Sequence, residues 1–293
     1  MSQLLLQSEE NNVFYFDENY KRGKHFVRSP FRYPGGKYYA LKYIVPLLEC
    51  VPHQEYREPF IGGGSVFFAK KPTQSDWIND LETDLIETYS VMSDPLMSEE
   101  LSTRVSAEVA TKERHAEIKA FESKSQLELA YKTYYLNRTS YSGIINKPAW
   151  GYRTGKSSPP QNWPKFISGA QGKLAEATIT NLDFEEVIKA PSKKTVMMYL
   201  DPPYYHADQK RAYTKPFELK DHQRLAKALK KTEHYFCLSY DDCKEVRELY
   251  SWANIYTRQW FYNTANTTGS RMVGNELLIT NYLVEPNGQK SLL

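Results

Sequence analysis

Val196-Met-Met-Tyr-Leu200 is an unbroken apolar run that stops at Asp201-Pro202-Pro203-Tyr204. A short apolar run bounded in this way reads as a strand buried on both faces, because a half-exposed strand would alternate. The prolines end it, since neither can donate to a sheet ladder. Ala177-Thr-Ile-Thr180 and His234-Tyr-Phe-Cys-Leu-Ser239 read as further buried strands, and Asp76-Trp-Ile-Asn-Asp80 as another short one. Helical patterns separate them, at Leu41, Ile44, Val45 and Leu48, at Leu85, Ile86 and Tyr89, and across Leu219 to Leu229. This alternation predicts an α/β fold, a mostly parallel sheet with helices on both faces.

Residues 1–28 are polar and irregular and read as an N-terminal extension. The α/β pattern occupies 29–92 and resumes over 176–293, so 93–175 reads as an inserted, mainly helical region. From Ser93 to about Glu128 it is rich in Glu, Lys, Ala and Ser, as surface helices are. From Leu129 to Ala175 there is no acid at all, but seven bases and eight aromatics, with a loop expected over Tyr152 to Pro164. That segment carries +7 within a chain of net +3, leaving the remainder at −4. Bases tracking phosphates and aromatics stacking on bases would make it a nucleic-acid surface. The competing reading is a solvated basic face over core tyrosines.

Several classes are excluded by composition. An aromatic content of 14% argues against disorder, and three cysteines without a CxxC pair argue against a disulfide scaffold, leaving core or incidental thiols in a reducing compartment. No apolar run approaches membrane-spanning length, and the start lacks a basic n-region and an apolar h-region, so a cytoplasmic protein is expected. The six histidines are scattered without HxxxH or a Cys/His cluster, so no metal site is expected. GxSxG and GxxxxGK[ST] are absent.

Three constellations carry chemistry. Asp201-Pro202-Pro203-Tyr204 lies at the C-terminal end of a strand, where open α/β sheets bind ligands. The exocyclic amine of a base is planar and must pyramidalise to attack a methyl group. Asp201 offers it a carboxylate, and Pro202 a carbonyl whose direction Pro203 restricts. Tyr204 offers a stacking face for a flipped-out base. A plain strand-ending turn is the alternative. Second, Glu58-Pro59-Phe60-Ile61-Gly62-Gly63-Gly64-Ser65 reads as a strand, a glycine turn and a helix, whose backbone can approach a ligand closely. Asp80, ending the next strand, is placed for ribose hydroxyls, or else is a turn or cap residue; Asp84 reads as a surface or capping acid. Third, Tyr33-Pro34-Gly35-Gly36-Lys37 precedes a helix; Lys37 would meet a ligand carboxylate, and Arg32 a phosphate, unless they simply face solvent.

These stretches, in this order, resemble the Dam-like N6-adenine-specific DNA methyltransferases. The likeness runs from Pro30-Phe31-Arg32-Tyr33 through Ile78-Asn79-Asp80-Leu81 and Asn181-Leu182-Asp183-Phe184 to Asn275-Glu276-Leu277-Leu278-Ile279. It implies a Rossmann-like S-adenosyl-L-methionine-dependent fold whose parallel sheet has an antiparallel edge, with a target-recognition insert. It implies that Tyr33, Lys37, Phe60, Gly62, Gly63 and Gly64 line the cofactor site, with Asp80 on the ribose and Asp183 on the adenine amine. Asp201, Pro202, Pro203 and Tyr204 would hold the target adenine, with no metal. Double-stranded DNA is the implied partner of a monomeric enzyme in a bacterial, phage or mobile-element setting, alone or beside a cognate restriction enzyme.

Tyr135 to Asn146 resembles the recognition hairpin of that family. GATC-reading members carry an arginine for guanine where this chain has Asn146, and asparagine pairs better with adenine. A target other than GATC is therefore expected. Arg32, Asn137, Arg138, Tyr141, Asn146, Lys147, Arg153 and Lys156 are the expected DNA contacts. An N4-cytosine or RNA adenine methyltransferase, or a DNA-binding relic without catalysis, are the alternatives.

Overall fold

The computed structural model describes residues 23–206, 216–261 and 273–284. Its sheet has the order β3-β2-β1-β4-β5-β7-β6. Strands β1 (Glu55–Glu58), β2 (Ser75–Asn79), β3 (Thr178–Thr180), β4 (Val196–Leu200) and β5 (Tyr235–Asp241) run parallel. Strands β6 (Asn254–Phe261) and β7 (Val273–Thr280) add the antiparallel edge. Every residue of β4 is buried, as its unbroken apolar run requires. Met197 and Tyr199 join the core on one face, and Met198 and Leu200 the core on the other. β3 departs from the expected buried strand. It pairs with β2 alone, at an edge, and its threonines are half-buried or exposed.

Helix α1 (Leu41–Glu49) follows a short 3-10 turn at Lys37–Tyr39, and α2 (Thr83–Ser93) follows β2. Between α2 and β3 come α3 (Pro95–Ser106), α4 (Lys112–Ala120), α5 (Gln126–Thr139) and α6 (Pro164–Leu174). Asp94, Thr111 and Ser125 cap the first three, each side chain accepting a backbone N–H of the first turn. α5 and α6 pack on α2, so the inserted helices share one continuous core with the sheet. The aromatics of the acid-free segment explain this: Tyr134, Tyr135 and Trp163 are fully buried there. Much of the aromatic signal is thus packing. The end of the N-terminal extension also joins this core, through Phe26 and Val27; residues 1–22 lie outside the described residues.

On the opposite face lie α7 (Phe184–Lys189), α8 (Leu219–Lys231) and α9 (Lys244–Leu249). Arg57 is buried on β1. Its guanidinium meets Glu55 at 2.6 Å and donates to the Val187 and Ala190 carbonyls at the end of α7, at 2.8 and 2.6 Å.

Two expectations change here. Ser65–Ala69 forms successive turns with isolated hydrogen bonds from Phe68 N–H to Gly64 and from Lys70 N–H to Val66, so no regular helix follows the glycines. The segment Tyr135–Thr139 is the last turn of α5, and the chain doubles back only afterwards, closed by one antiparallel bridge between Ser140 and Trp150.

Trp163→Ala should destabilise the chain by about 3–5 kcal/mol. Because the core is shared, calorimetry should show a single transition moved downward; a separate early transition for the insert alone would contradict this.

Candidate active site

The C-terminal ends of β1, β2, β4 and β5 converge on one cavity of about 430 Å³, at the sheet edge where α/β folds bind ligands. Glu58 ends β1, Asp80 follows β2, Asp201 follows β4, Asp241 ends β5, and Glu276 enters from antiparallel β7.

The glycine turn forms one wall. Asp80 organises it: one carboxylate oxygen accepts from Gly62 N–H at 2.8 Å, the other from Glu82 N–H at 3.0 Å. Tyr89 donates its hydroxyl to the Gly62 carbonyl at 2.9 Å. Gly62 has φ of +45°, which a side chain would strain. Gly63 is required by packing, since a Cβ there would lie 2.7 Å from Cβ of Tyr33. Tyr33 therefore lies directly on the turn. Asp80 fills the expected place in the cavity and at the same time holds the loop, so cap and ligand-facing roles coincide in one carboxylate.

Asp201 forms the opposite wall. Its Oδ2 lies 2.8 Å from Nζ of Lys37, and its Oδ1 accepts from the Ser239 hydroxyl at 3.0 Å. Tyr199 shares a hydrogen bond with that hydroxyl at 2.8 Å. Lys37 is 4% exposed, so its ammonium faces Asp201 within the protein and not solvent. It also sits 4.9 Å from the Tyr204 ring. The Tyr204 hydroxyl donates to Glu276 at 2.6 Å. Burial, then the Asp201 and Glu276 charges, raise the Tyr204 pKa well above its usual value and keep that hydroxyl protonated. The Tyr205 and His206 N–H groups donate to the two oxygens of Asp241, at 2.9 and 3.2 Å, anchoring the chain beyond Tyr204. Pro202 and Pro203 are buried.

A third wall is aromatic. Phe60 stacks on Phe184 with ring centres 5.4 Å apart and meets Phe217 edge-on at 5.8 Å. Asp183 does not line the cavity with them. It caps α7, accepting from Glu185 N–H, and pairs with Arg224 at 2.8 Å. Its neighbour Phe184 lines the cavity at this position.

Glu58, Glu276, Asn275, Asp241 and Phe217 also line the cavity and were not among the expected site residues. Glu58 is buried, and its Oε2 accepts the Tyr56 hydroxyl at 2.5 Å. Burial, reinforced by the Asp201 charge, raises its pKa well above 4.5.

The expected DNA contacts divide. Asn137 and Arg138 are withdrawn from solvent. Asn137 is fully buried and bonded to backbone; Arg138 lies against the Phe166 ring at 4.6 Å and donates to the Pro30 carbonyl at 3.3 Å. They sit on the inner side of α5, where a helix must bury its side chains. Arg32 is half-buried, reaching the Arg138 and Ser140 carbonyls. Tyr141 and Asn146 are half-buried, and Lys147, Arg153 and Lys156 are exposed. Of possible metal ligands among the described residues, His206, Cys243 and Glu245 fall within 4.8 Å of one another. They are not in the cavity wall, and burial pushes the Cys243 thiol up to about 11, away from the thiolate a metal needs.

The family model for D12 class N6 adenine-specific DNA methyltransferases matches residues 33–264. The chain belongs to this family. It is an N6-adenine DNA methyltransferase, which sets aside the cytosine and RNA alternatives. It is 28% identical over 271 residues to the type II methyltransferase M1.LlaDCHI of Lactococcus lactis subsp. cremoris, covering 86% of this chain and 94% of that one. It is 28% identical over 224 residues to the DNA N-6-adenine-methyltransferase of Escherichia phage P1, covering 71% of this chain but only 29% of that longer protein. The type II methyltransferase M.MjaIII of Methanocaldococcus jannaschii is 26% identical over 207 residues, with 61% and 70% covered. A methyltransferase of this family uses S-adenosyl-L-methionine. No helix among the described residues is long and apolar enough to cross a membrane.

Glu58 yields a test with a definite sign. Its raised pKa means that the folded chain holds a proton the unfolded chain releases. The associated stability is full below about pH 4.5 and is lost as pH rises towards the folded value. Glu58→Gln should therefore be more stable than the parent near neutrality, with the gain vanishing towards about pH 4 in urea titrations. A gain independent of pH would exclude this cause.

Proposed function

We propose that this enzyme flips an adenine out of duplex DNA and transfers a methyl group to its N6 from S-adenosyl-L-methionine held in the same cavity. The observation that carries this is Asp201, fixed between Lys37 and Ser239 beside Tyr204 and opposite the glycine turn. The residues fit the cofactor. Gly62 and Gly63 line the cavity with backbone beside the Tyr33 side chain packed on them, Asp80 suits ribose hydroxyls, and Phe60, Phe184 and Phe217 suit a flat purine.

When bound, the cofactor supplies an electrophilic methyl group on a sulfonium. Every other requirement falls on the chain. Lys37 and Ser239 donate to different oxygens of Asp201 and fix its orientation. Asp201 and the Pro202 carbonyl accept the two hydrogens of the adenine amine, which concentrates its lone pair on the side facing the methyl group. Tyr204, fixed through Glu276, stacks on the base, and Asp201 is placed to take the proton that N6 must lose after attack.

Arg153, Lys147 and Lys156 meet DNA phosphates, and Asn146 reads a base other than the guanine of GATC. Arg32 reaches the same surface. Two of the relatives are named type II methyltransferases, so we place this chain, as a monomer, beside a restriction endonuclease of the same site.

Asp201→Asn preserves shape and removes the charge. It should lower transfer by about 10²–10³-fold while DNA affinity holds, in a labelled-methyl assay beside a binding titration. Undiminished transfer would remove Asp201 from the role. Reading modified positions across plasmid DNA exposed to the enzyme should show N6-methyladenine in one context other than GATC. Asn146→Arg should shift one position of that context towards guanine by about tenfold, corresponding to about 1–3 kcal/mol; an unchanged context would clear Asn146 of base reading.

A further inference from the structure

We infer that Asn137 is a positioning residue that couples DNA recognition to occupancy of the cofactor cavity. This rests on the function proposed above and assigns to Asn137 a role different from DNA contact.

Asn137 lies in the last turn of α5 and is fully buried. Its amide oxygen accepts from Arg32 N–H at 2.9 Å, while its NH₂ donates to the Arg32 carbonyl at 2.7 Å and to the Gly143 carbonyl at 2.8 Å. It thus grips both polar groups of one backbone residue as a neighbouring strand would, and ties that residue to the loop closed by Ser140 and Trp150. Both NH₂ hydrogens are used on two different segments. Gly143 completes the clasp. Its φ is +73°, and a Cβ there would lie 2.2 Å from the Arg32 carbonyl oxygen.

On the other side of Arg32 the connection reaches the cofactor wall. Tyr33 is the next residue, its ring is against Gly62, and its Cβ leaves no room for a side chain at Gly63. Ser29, two residues before Phe31, donates to the carbonyls of Gly63 and Phe31. The segment from Ser29 to Tyr33 is therefore bonded to the glycine turn at one edge and to the recognition loop at the other. A nucleoside that settles against the glycine turn displaces or immobilises Tyr33. Because Asn137 holds the adjacent peptide and Gly143 together, the loop carrying Asn146 and Lys147 must respond. Coupling through such a contact is reciprocal, so DNA on the loop tightens the cofactor by the same factor.

The test uses the full chain, S-adenosylhomocysteine as an unreactive cofactor probe, and a duplex bearing the site found on plasmid DNA. For the parent, DNA affinity by fluorescence anisotropy should rise about tenfold when the probe saturates the cavity, within the usual range of such couplings. Asn137→Ala and, independently, Gly143→Ala should bring that factor close to one while each ligand alone binds within about threefold of the parent. A purely structural amide would weaken both ligands or lower the melting temperature and leave the factor intact, which would overturn the inference. Hydrogen exchange on the parent needs no variant to fold: amides of residues 140–151 should gain protection when the probe alone is added. Unchanged exchange there, or a parent whose DNA affinity ignores the probe, would also overturn it. If the parent binds no S-adenosylhomocysteine, the cofactor assignment itself fails, a result distinct from the loss of coupling.

Discussion

Six carboxyl groups line the cavity, and Lys37 is the one cation among its described lining residues. Gathering like charges out of water is unfavourable unless each is compensated. Asp80 is met by two backbone N–H groups, and Asp241 by two more. Glu276 receives the Tyr204 hydroxyl, and Glu58 the Tyr56 hydroxyl. Asp201 takes the single ammonium and the Ser239 hydroxyl. The lone cation is thus spent on the carboxylate that the proposed chemistry uses, while the buried Glu58 is driven towards its neutral form. A cavity of this polarity favours a positively charged ligand.

That compensation also determines why the site was only partly legible. Asp201, Asp80 and the glycines stand at strand ends where a pattern of apolar runs and turn residues marks them. Glu276 lies on an antiparallel strand far along the chain. Nothing in its own neighbourhood indicates that its carboxylate turns towards Tyr204. Glu58 was visible as part of the glycine motif, yet its burial depends on the whole sheet closing over it. Asp183 carried a second readable signal: Asp183-Phe-Glu-Glu186 has the spacing of a capping box, and the structure forms it.

The burial of Asn137 and Arg138 was illegible for a different reason. In an acid-free, basic segment, polar side chains suggest solvent or DNA. Here they face the inner side of a helix, where Asn137 bonds both backbone groups of Arg32 and Arg138 donates to the Pro30 carbonyl, partners about a hundred positions earlier. Such matches cannot be read from local sequence, because neither partner shows a pattern by itself. The aromatics followed the same logic. Tyr134, Tyr135 and Trp163 lie among bases in sequence but pack in the core, so charge localisation and aromatic localisation had different causes.

The fold itself follows from a few strong runs, since β4 is wholly apolar and β5 nearly so at its centre, which leaves little choice of neighbour. The insert leaves the sheet just where this matters. It departs after α2 and returns at β3, which pairs with β2, whose end carries Asp80. Its helices pack back on α2, and α2 supplies Tyr89 to the Gly62 carbonyl. The insert and the glycine turn are therefore supported by the same helix. An insert built as an independent domain would move separately from the cavity; one built on α2 shares its core, and its loop is joined to the cavity wall through Arg32 and Tyr33.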